Sequence, residues 1–158
     1  MPNIHEGQTT AVPGKWAIVV SRYNDHLTGR LLDGAVKTLV EAGADDGDID
    51  VFWVPGAFEL PTIAALALDH STYNAVICLG AVIRGETTHD QHINRAVSMQ
   101  LAELGVRERV PVLFGVLTCD TLEQALHRAG GNVGNKGAES AEAALRMANL
   151  FRQIDGSA

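Results

Sequence analysis

Four short apolar runs, most of them rich in β-branched residues, recur along the chain. They cover residues 16–20, 49–54, 75–79 and 110–117, with Pro111 near the start of the last run. Short runs of this kind are typical of strands that are buried on both faces. The pattern therefore predicts a parallel sheet that is covered by helices on both sides.

The segments between and after these runs place apolar residues three and four positions apart, which predicts helices. The first helix is capped at Asn24 or Asp25 and ends at Gly43, and the second tolerates Pro61 in its first turn. The predicted helices cover about residues 25–42, 58–68, 93–104, 120–129 and 137–152. Strands and helices thus alternate, as in an α/β protein.

The last two helices show further local signals. Asp120 is followed three residues later by Glu123, as in a capping box, and a turn cluster covers residues 130–135. The last helix carries an apolar stripe that consists of Ala141, Ala144, Leu145, Ala148 and Phe151. Its small residues would let another helix approach closely, and we interpret the stripe as a subunit contact.

Parallel sheets bind ligands at the carboxyl ends of their strands. The segments that follow the predicted strands are residues 21–25, 54–59, 80–89 and 118–120. Chemistry-bearing side chains are therefore expected there.

Length, charge and cysteine content restrict the class of protein. The 158 residues fit a single domain over 1–158, with residues 1–14 as an extended arm. A net charge of -7 argues against nucleic acid and anionic membranes as partners. Cys78 and Cys119 are expected to be buried free thiols. Neither a signal peptide nor an 18-residue apolar run is found, so a cytoplasmic protein is predicted.

The loop over residues 80–89 holds the densest group of polar residues. Gly85 permits close approach of a ligand, and Glu86, Thr87 and Thr88 precede a helix start, which suits a phosphate. A solvated loop with a capping threonine is the alternative. His89 follows and can transfer protons, although a surface histidine in a first helical turn has the same pattern. His89 and His92 together are only weak evidence for a metal site, because no third histidine lies nearby in the sequence.

Other candidates lie beside the remaining strands. Glu59 can accept hydrogen bonds from a ligand or cap its own helix, and Tyr23 can stack on a ring or pack locally. Phe114, inside the fourth strand, is expected in the core. Arg128 and Lys136 can bind phosphate or serve as surface charges. Neither a P-loop nor a dinucleotide-binding glycine turn is present.

Six segments together resemble the lumazine synthase family. They are residues 21–24 (SRYN), 54–59 (VPGAFE), 79–89 (LGAVIRGETTH), 114–118 (FGVLT), 123–130 (EQALHRAG) and 134–137 (GNKG). They occur in order, and the resemblance extends from about residue 15 to residue 152.

The resemblance implies a flavodoxin-like three-layer α/β/α fold with a four-stranded parallel sheet. It also implies a transferase that needs no cofactor and no metal. That enzyme condenses 5-amino-6-(D-ribitylamino)uracil with 3,4-dihydroxy-2-butanone 4-phosphate. The products are 6,7-dimethyl-8-ribityllumazine, phosphate and water, in the penultimate step of riboflavin biosynthesis. Its active sites lie between the subunits of a homopentamer.

By position, the resemblance also implies roles for individual residues. Tyr23 would stack on the pyrimidine, and His89 would transfer protons. The ribityl chain would be held by Asn24, Ala57, Phe58 and Glu59. The pyrimidine edge would meet the backbone of Ala81, Val82 and Ile83. The phosphate would meet Glu86, Thr87 and Arg128. The residues expected to enter from the neighbouring subunit are Phe114, Arg128 and Lys136, of which Lys136 would contact the pyrimidine.

The sequence departs from the family pattern at a few positions. Tyr23 replaces a phenylalanine or tryptophan, and Ala81 replaces a commoner threonine. His127 stands where many relatives have an acidic residue, which changes the charge around Arg128. The turn over residues 129–136 is short and lacks the insertion found in many family members that stop at pentamers. By this resemblance we expect a shell of 60 subunits. Two other classes remain open, namely a lumazine or flavin carrier and a shell or storage protein.

Overall fold

The computed structural model describes residues 1–131 and 133–156 and contains one four-stranded parallel sheet. Its strands are β1 (Lys15–Ser21), β2 (Ile49–Val54), β3 (Tyr73–Ile83) and β4 (Val112–Cys119). They are arranged in the order β2-β1-β3-β4, and every pair is parallel. The predicted parallel sheet is therefore confirmed.

Five helices alternate with the strands and follow the last one. They are α1 (Asp25–Glu41), α2 (Leu60–His70), α3 (His89–Glu108), α4 (Leu122–Arg128) and α5 (Lys136–Asp155). Two short 3-10 helices, Asp46–Asp48 and Ala57–Glu59, precede β2 and α2. The predicted turn cluster includes a small antiparallel pair, β5 (Ala129–Gly131) and β6 (Gly134–Asn135), and its residue 132 lies outside the described residues.

Two apolar cores lie on opposite faces of the sheet. Trp16 and Ile18 of β1 pack on the side of α1 and α5, whereas Ala17 and Val19 pack on the side of α2 and α3. All four side chains are fully buried. Burial on both faces explains why the strand sequence does not alternate with polar residues. The three-layer flavodoxin-like α/β/α fold is thereby confirmed.

Two strand boundaries differ from the predictions. β3 continues through Gly80 to Ile83, where a loop was expected, because its last four residues pair with β4. β4 begins only after Pro111, whose carbonyl accepts a hydrogen bond from the Val76 backbone at 2.9 Å. Proline has no backbone N–H to donate, so it lies just outside the ladder. β4 also extends through Thr118, which was expected in a loop.

Helix starts differ as well. Thr121, rather than Asp120, caps α4, since its hydroxyl accepts from the Gln124 backbone N–H at 3.2 Å. The Gln124 side chain accepts in return from the Asp120 N–H at 2.9 Å. The cap is therefore one residue later than predicted. α3 also starts four residues earlier than the apolar spacing indicates, at His89, because its first turn is polar.

The apolar stripe of α5 packs inside its own chain. Ala141, Ala144, Leu145 and Ala148 are buried against α1 and the sheet. At Gly137 a side chain would collide with the carbonyl of Leu31 in α1, so the two helix backbones touch. The predicted subunit contact through this stripe is therefore wrong, because the small residues serve the close approach of α1 instead.

Residues ahead of β1 run along the outer side of α5. The Gln8 backbone N–H donates to the Asn149 side chain at 2.8 Å, and Gln153 donates to the Glu6 carbonyl at the same distance. Cys78 and Cys119 are free and buried, as predicted, and burial raises the pKa of the Cys78 thiol to about 12. Within the described ranges, none of the helices combines the length and apolar character that a bilayer crossing requires.

Candidate active site

A cavity of about 660 Å³ opens at the carboxyl edge of the sheet. The segments after β1 and β2, the end of β3 and the start of α3 enclose it. Nine of the residues expected at the site line it: Tyr23, Ala57, Phe58, Glu59, Ala81, Val82, Ile83, Thr87 and His89. Three of the four segments in which functional side chains were expected, residues 21–25, 54–59 and 80–89, contribute to the lining, whereas residues 118–120 do not. The volume lies within the range of roughly 300–1,000 Å³ that small-molecule sites have.

Two aromatic side chains at the cavity are largely uncovered. Tyr23 is 74% exposed and Phe58 is 61% exposed. The Tyr23 backbone is nevertheless held, because its N–H donates to the Pro55 carbonyl at 2.9 Å. Exposed aromatic rings on a fixed backbone offer flat apolar faces to a planar ligand. The sequence left stacking on a ligand ring and local packing open for Tyr23, and this exposure excludes local packing.

Glu59 combines both of the roles that its position suggests. Its Oε1 accepts a hydrogen bond from the Gly56 N–H at 2.9 Å and so closes the turn after β2. The side chain is half-buried and also lines the cavity. Anchoring one oxygen to the backbone fixes the carboxylate in place, which prepares it to accept further hydrogen bonds from a ligand.

Asn24 lies beside the cavity rather than in its lining. It is the residue before α1 and has φ 63, in the left-handed region, but its side chain does not cap the helix. Instead Nδ2 donates to the Ala81 carbonyl at 3.2 Å. The expected side-chain cap at Asn24 is therefore wrong, because the amide is used to join the segment after β1 to the end of β3.

At its far end, β3 pairs with β4 but not with β1, and its Ala81 carbonyl accepts from the Asn24 side chain. The last β1–β3 pair is Val20 with Leu79, whereas pairing with β4 continues to Ile83 and Cys119. On the β1 side, residues 80–83 therefore extend beyond the ladder, next to the cavity. Backbone N–H and C=O groups that lack a strand partner are suited to read the edge of a heterocyclic ring.

The loop between β3 and α3 presents hydroxyl groups at a helix start. The Thr87 hydroxyl accepts from the His89 N–H at 3.3 Å, and Thr88 makes no side-chain cap. His89 is exposed, heads α3 and lines the cavity. Glu86 belongs to the same loop and is exposed, but it is outside the lining. A long helix that begins here favours negative charge at its N-terminus.

Asp90 is a lining residue that the sequence analysis missed. It follows His89 and is 7% exposed, and its Oδ1 has no hydrogen-bond partner among the described residues. The only available signal was a carboxylate in the first turn of a helix, which is common for electrostatic reasons alone. Its burial depends on the packing of α3 on the sheet.

Three expected site residues lie away from this cavity in their own chain. Phe114 is on the edge strand β4 and is 38% exposed, so the expected core packing is wrong. Arg128 ends α4 and is exposed, and Lys136 begins α5 and is half-buried. Both helices cover the sheet face opposite to α2 and α3. A single chain therefore does not assemble these residues with His89.

Two long side-chain ion pairs lie near Arg128 and the end of β3. His127 lies 3.8 Å from Glu123, an ion pair only when the imidazole is protonated. Arg84, beyond the end of β3, lies 3.7 Å from Asp120 and is well exposed. Among the described residues, no group of three or more His, Cys, Asp or Glu side chains is placed to hold a metal ion.

Comparison with protein families agrees with this arrangement. Residues 13–152 match the family model of 6,7-dimethyl-8-ribityllumazine synthase. The match covers most of the 158 residues and includes every segment that forms the cavity. The chain therefore belongs to the 6,7-dimethyl-8-ribityllumazine synthase family.

Proposed function

We propose that this protein condenses 5-amino-6-(D-ribitylamino)uracil with 3,4-dihydroxy-2-butanone 4-phosphate. The products are 6,7-dimethyl-8-ribityllumazine, phosphate and water. The observation that carries this proposal is the cavity at the carboxyl edge of the sheet. There an exposed aromatic ring, an anchored carboxylate and His89 meet in a chain of this family.

The amine substrate occupies the part of the cavity between β1, β2 and β3. Tyr23 stacks on the pyrimidine ring, and the backbone of Ala81, Val82 and Ile83, which extends beyond the β1 ladder, contacts the polar edge of that ring. The ribityl chain lies along the segment after β2. Its hydroxyl groups donate to Glu59, and its carbon atoms contact the wall made by Asn24, Ala57 and Phe58.

The phosphate of the second substrate binds at the start of α3. Glu86 and Thr87 belong to the loop that leads into this helix, and the helix N-terminus favours an anion. No Lys or Arg is among the residues that line the cavity in the described part of one chain. The cation for the phosphate therefore comes from a second copy, as Arg128.

The neighbouring copy supplies Phe114, Arg128 and Lys136. Each of them is at least partly exposed and lies away from the cavity of its own chain. A head-to-tail ring allows each subunit to give these residues to the next, and a pentamer is the ring that we propose. Twelve such rings form the proposed 60-subunit shell, and a pentamer-sized mass in native mass spectrometry would contradict it.

The chemistry requires several proton transfers. An amino group of the uracil attacks the ketone carbon, and loss of water from the adduct gives a Schiff base. Loss of a proton from the neighbouring carbon then lets phosphate leave with its bonding electron pair, whose charge Arg128 stabilises. The resulting enol tautomerises to a ketone, the second amine attacks that carbonyl, and loss of a second water closes the ring. His89 takes and returns protons at these steps. Holding the two reactants together contributes much of the acceleration.

The test is to mix the purified protein with both substrates. Lumazine is followed by its absorbance, and released phosphate is assayed in parallel. We expect equal amounts of both products, formed well above the uncatalysed rate. Omission of the amine substrate is the control for simple phosphate-ester hydrolysis. Background rates from an intact assembly would indicate a carrier or shell protein instead.

A further inference from the structure

The cavity contains a buried carboxyl group to which the reaction outlined above gives no role. Asp90 is the second residue of α3, lines the cavity and is 7% exposed. Its Oδ1 is sealed from solvent and has no hydrogen-bond partner within the described residues. Leaving a buried carboxyl oxygen without a hydrogen-bond donor is unfavourable. A ligand in the cavity is one source of the donor that Oδ1 lacks among the described residues.

Asp90 also belongs to the face of α3 that packs inward. Val97 and Leu101 continue the same face and are almost fully buried. Asn94, one turn beyond Asp90, likewise has a buried Oδ1 without a partner among the described residues. Two acceptors without a partner, one turn apart, make the cavity end of this face polar.

The lining of the cavity offers no fixed cation to Asp90. It contains His89 and His92 but neither lysine nor arginine in the part of the chain that the structure describes. A molecule that fills the cavity can bring the donor that Asp90 Oδ1 lacks among the described residues. The N–H groups of an aminouracil donate hydrogen bonds, whereas an ionised phosphate group only accepts them.

We propose that Asp90 accepts a hydrogen bond from an N–H group of the aminouracil substrate. This role rests on the function proposed above. Asp90 adjoins His89 in the first turn of α3. The hydrogen bond therefore holds the amine close to the group that transfers its protons. Asp90 affects the binding of the aminouracil alone, whereas a residue with a structural role would affect the binding of both substrates.

The experiment compares Asp90→Asn with Glu103→Gln. Both variants replace a carboxyl group of α3 with an amide, but Glu103 is exposed and lies outside the cavity lining. Affinity for the aminouracil is measured by calorimetry, and KM is measured for each substrate. We expect Asp90→Asn to weaken aminouracil binding by roughly 10- to 100-fold, as for a lost hydrogen bond to a charged group. KM for the butanone phosphate and all constants of Glu103→Gln should stay near wild type.

Unchanged aminouracil binding in Asp90→Asn would overturn the proposal, as would an equal change in both KM values. An altered assembly mass in that variant would place the partner of Asp90 in another subunit and would also overturn it. Because an amide costs less free energy to bury than a carboxylate, we expect an equal or higher Tm. Asp90→Ser serves in its place if that protein does not fold.

The same measurements separate this proposal from the proposed function. Turnover by the wild-type protein tests the reaction alone. Binding that depends on Asp90 in a protein without turnover would support the aminouracil contact and refute the reaction. Turnover without any such dependence would support the reaction and refute the contact.

Discussion

The side-chain amide of Asn24 donates a hydrogen bond to the carbonyl oxygen of Ala81 over 3.2 Å. Asn24 follows β1 and Ala81 is near the end of β3, so this bond holds the segment after β1 against a strand that lines the cavity. It also explains why an asparagine occupies a left-handed backbone position, where its φ is 63. Asparagine tolerates this conformation better than most residues.

Asn24→Ala should therefore lose both the hydrogen bond and the tolerance of the left-handed backbone. We expect a loss of about 2 kcal/mol in the free energy of unfolding, the sum of two effects of about 1 kcal/mol each. Asn24→Gly is the matched control, since it removes the bond but accepts the backbone angle. Thermal and urea unfolding at one protein concentration compare them. Equal stability of the two variants would show that backbone strain contributes nothing.

His89→Ala should slow turnover by roughly 10²–10⁴-fold, the range for lost acid–base assistance. Substrate affinities should change little, because the assigned role is proton transfer rather than binding. Steady-state kinetics measure both quantities. His70→Ala is the control, as His70 is exposed and lies at the opposite end of the sheet, just before β3. A loss far beyond this range would mean that His89 does more than move protons.

Arg128→Ala should raise KM for the butanone phosphate and leave aminouracil binding nearly unchanged. Arg128 is remote from the cavity of its own chain, which makes a mixing experiment decisive. Coassembly of equal amounts of His89→Ala and Arg128→Ala subunits should restore roughly one quarter of wild-type activity, because a site between two chains receives both intact residues in that fraction. Arg30→Ala, an exposed arginine on α1, is the control. Absence of any recovery would place Arg128 and His89 in the same chain's site.

Asp50 should govern part of the stability in acid. It accepts from Lys15 Nζ at 2.8 Å and from the Tyr73 hydroxyl at 2.6 Å, and the Lys15 hydrogen bond, followed by that of Tyr73, lowers the pKa of Asp50. A lowered folded-state pKa stabilises the protein above the unfolded value of 3.8, and the stabilisation is lost as pH falls through the folded value.

Asp50→Asn should therefore lower Tm near neutral pH, with a difference from wild type that shrinks below about pH 4. Thermal unfolding across the acid range measures this difference. Asp69→Asn, which removes an exposed carboxylate from α2, should show no such pH dependence. A constant difference for Asp50→Asn over the whole range would mean that ionisation of Asp50 does not contribute.

The sequence predicts those parts of the fold that depend on local patterns. β1 and β2 match their apolar runs within a residue, because continuous burial leaves a continuous signal. The end of β3 was missed since Gly80 indicates a turn, whereas pairing with β4 keeps the chain extended. The cap of α4 was displaced because Asp120 and Thr121 are both good N-cap residues, and only the backbone geometry chooses between them.

Some residues of the candidate site are likewise predictable from the sequence, and others are not. Strand-following residues such as Tyr23 and Glu59 are predictable, because a parallel sheet brings its carboxyl ends to one edge. The burial of Asp90 depends on how α3 rotates on the sheet, and the exposure of Phe114 depends on β4 being an edge strand. Neither follows from spacing along the chain.

The contact between Gly137 and Leu31 links two catalytic centres in the proposed ring. It seats the first turn of α5, which carries Lys136, directly on α1, the helix that starts beside Tyr23. Each subunit thus carries, on two helices in direct contact, the Tyr23 ring of its own site and the Lys136 that we propose for its neighbour's site. A substitution at Gly137 would therefore disturb two adjacent active sites of the proposed ring, although Gly137 lines neither of them.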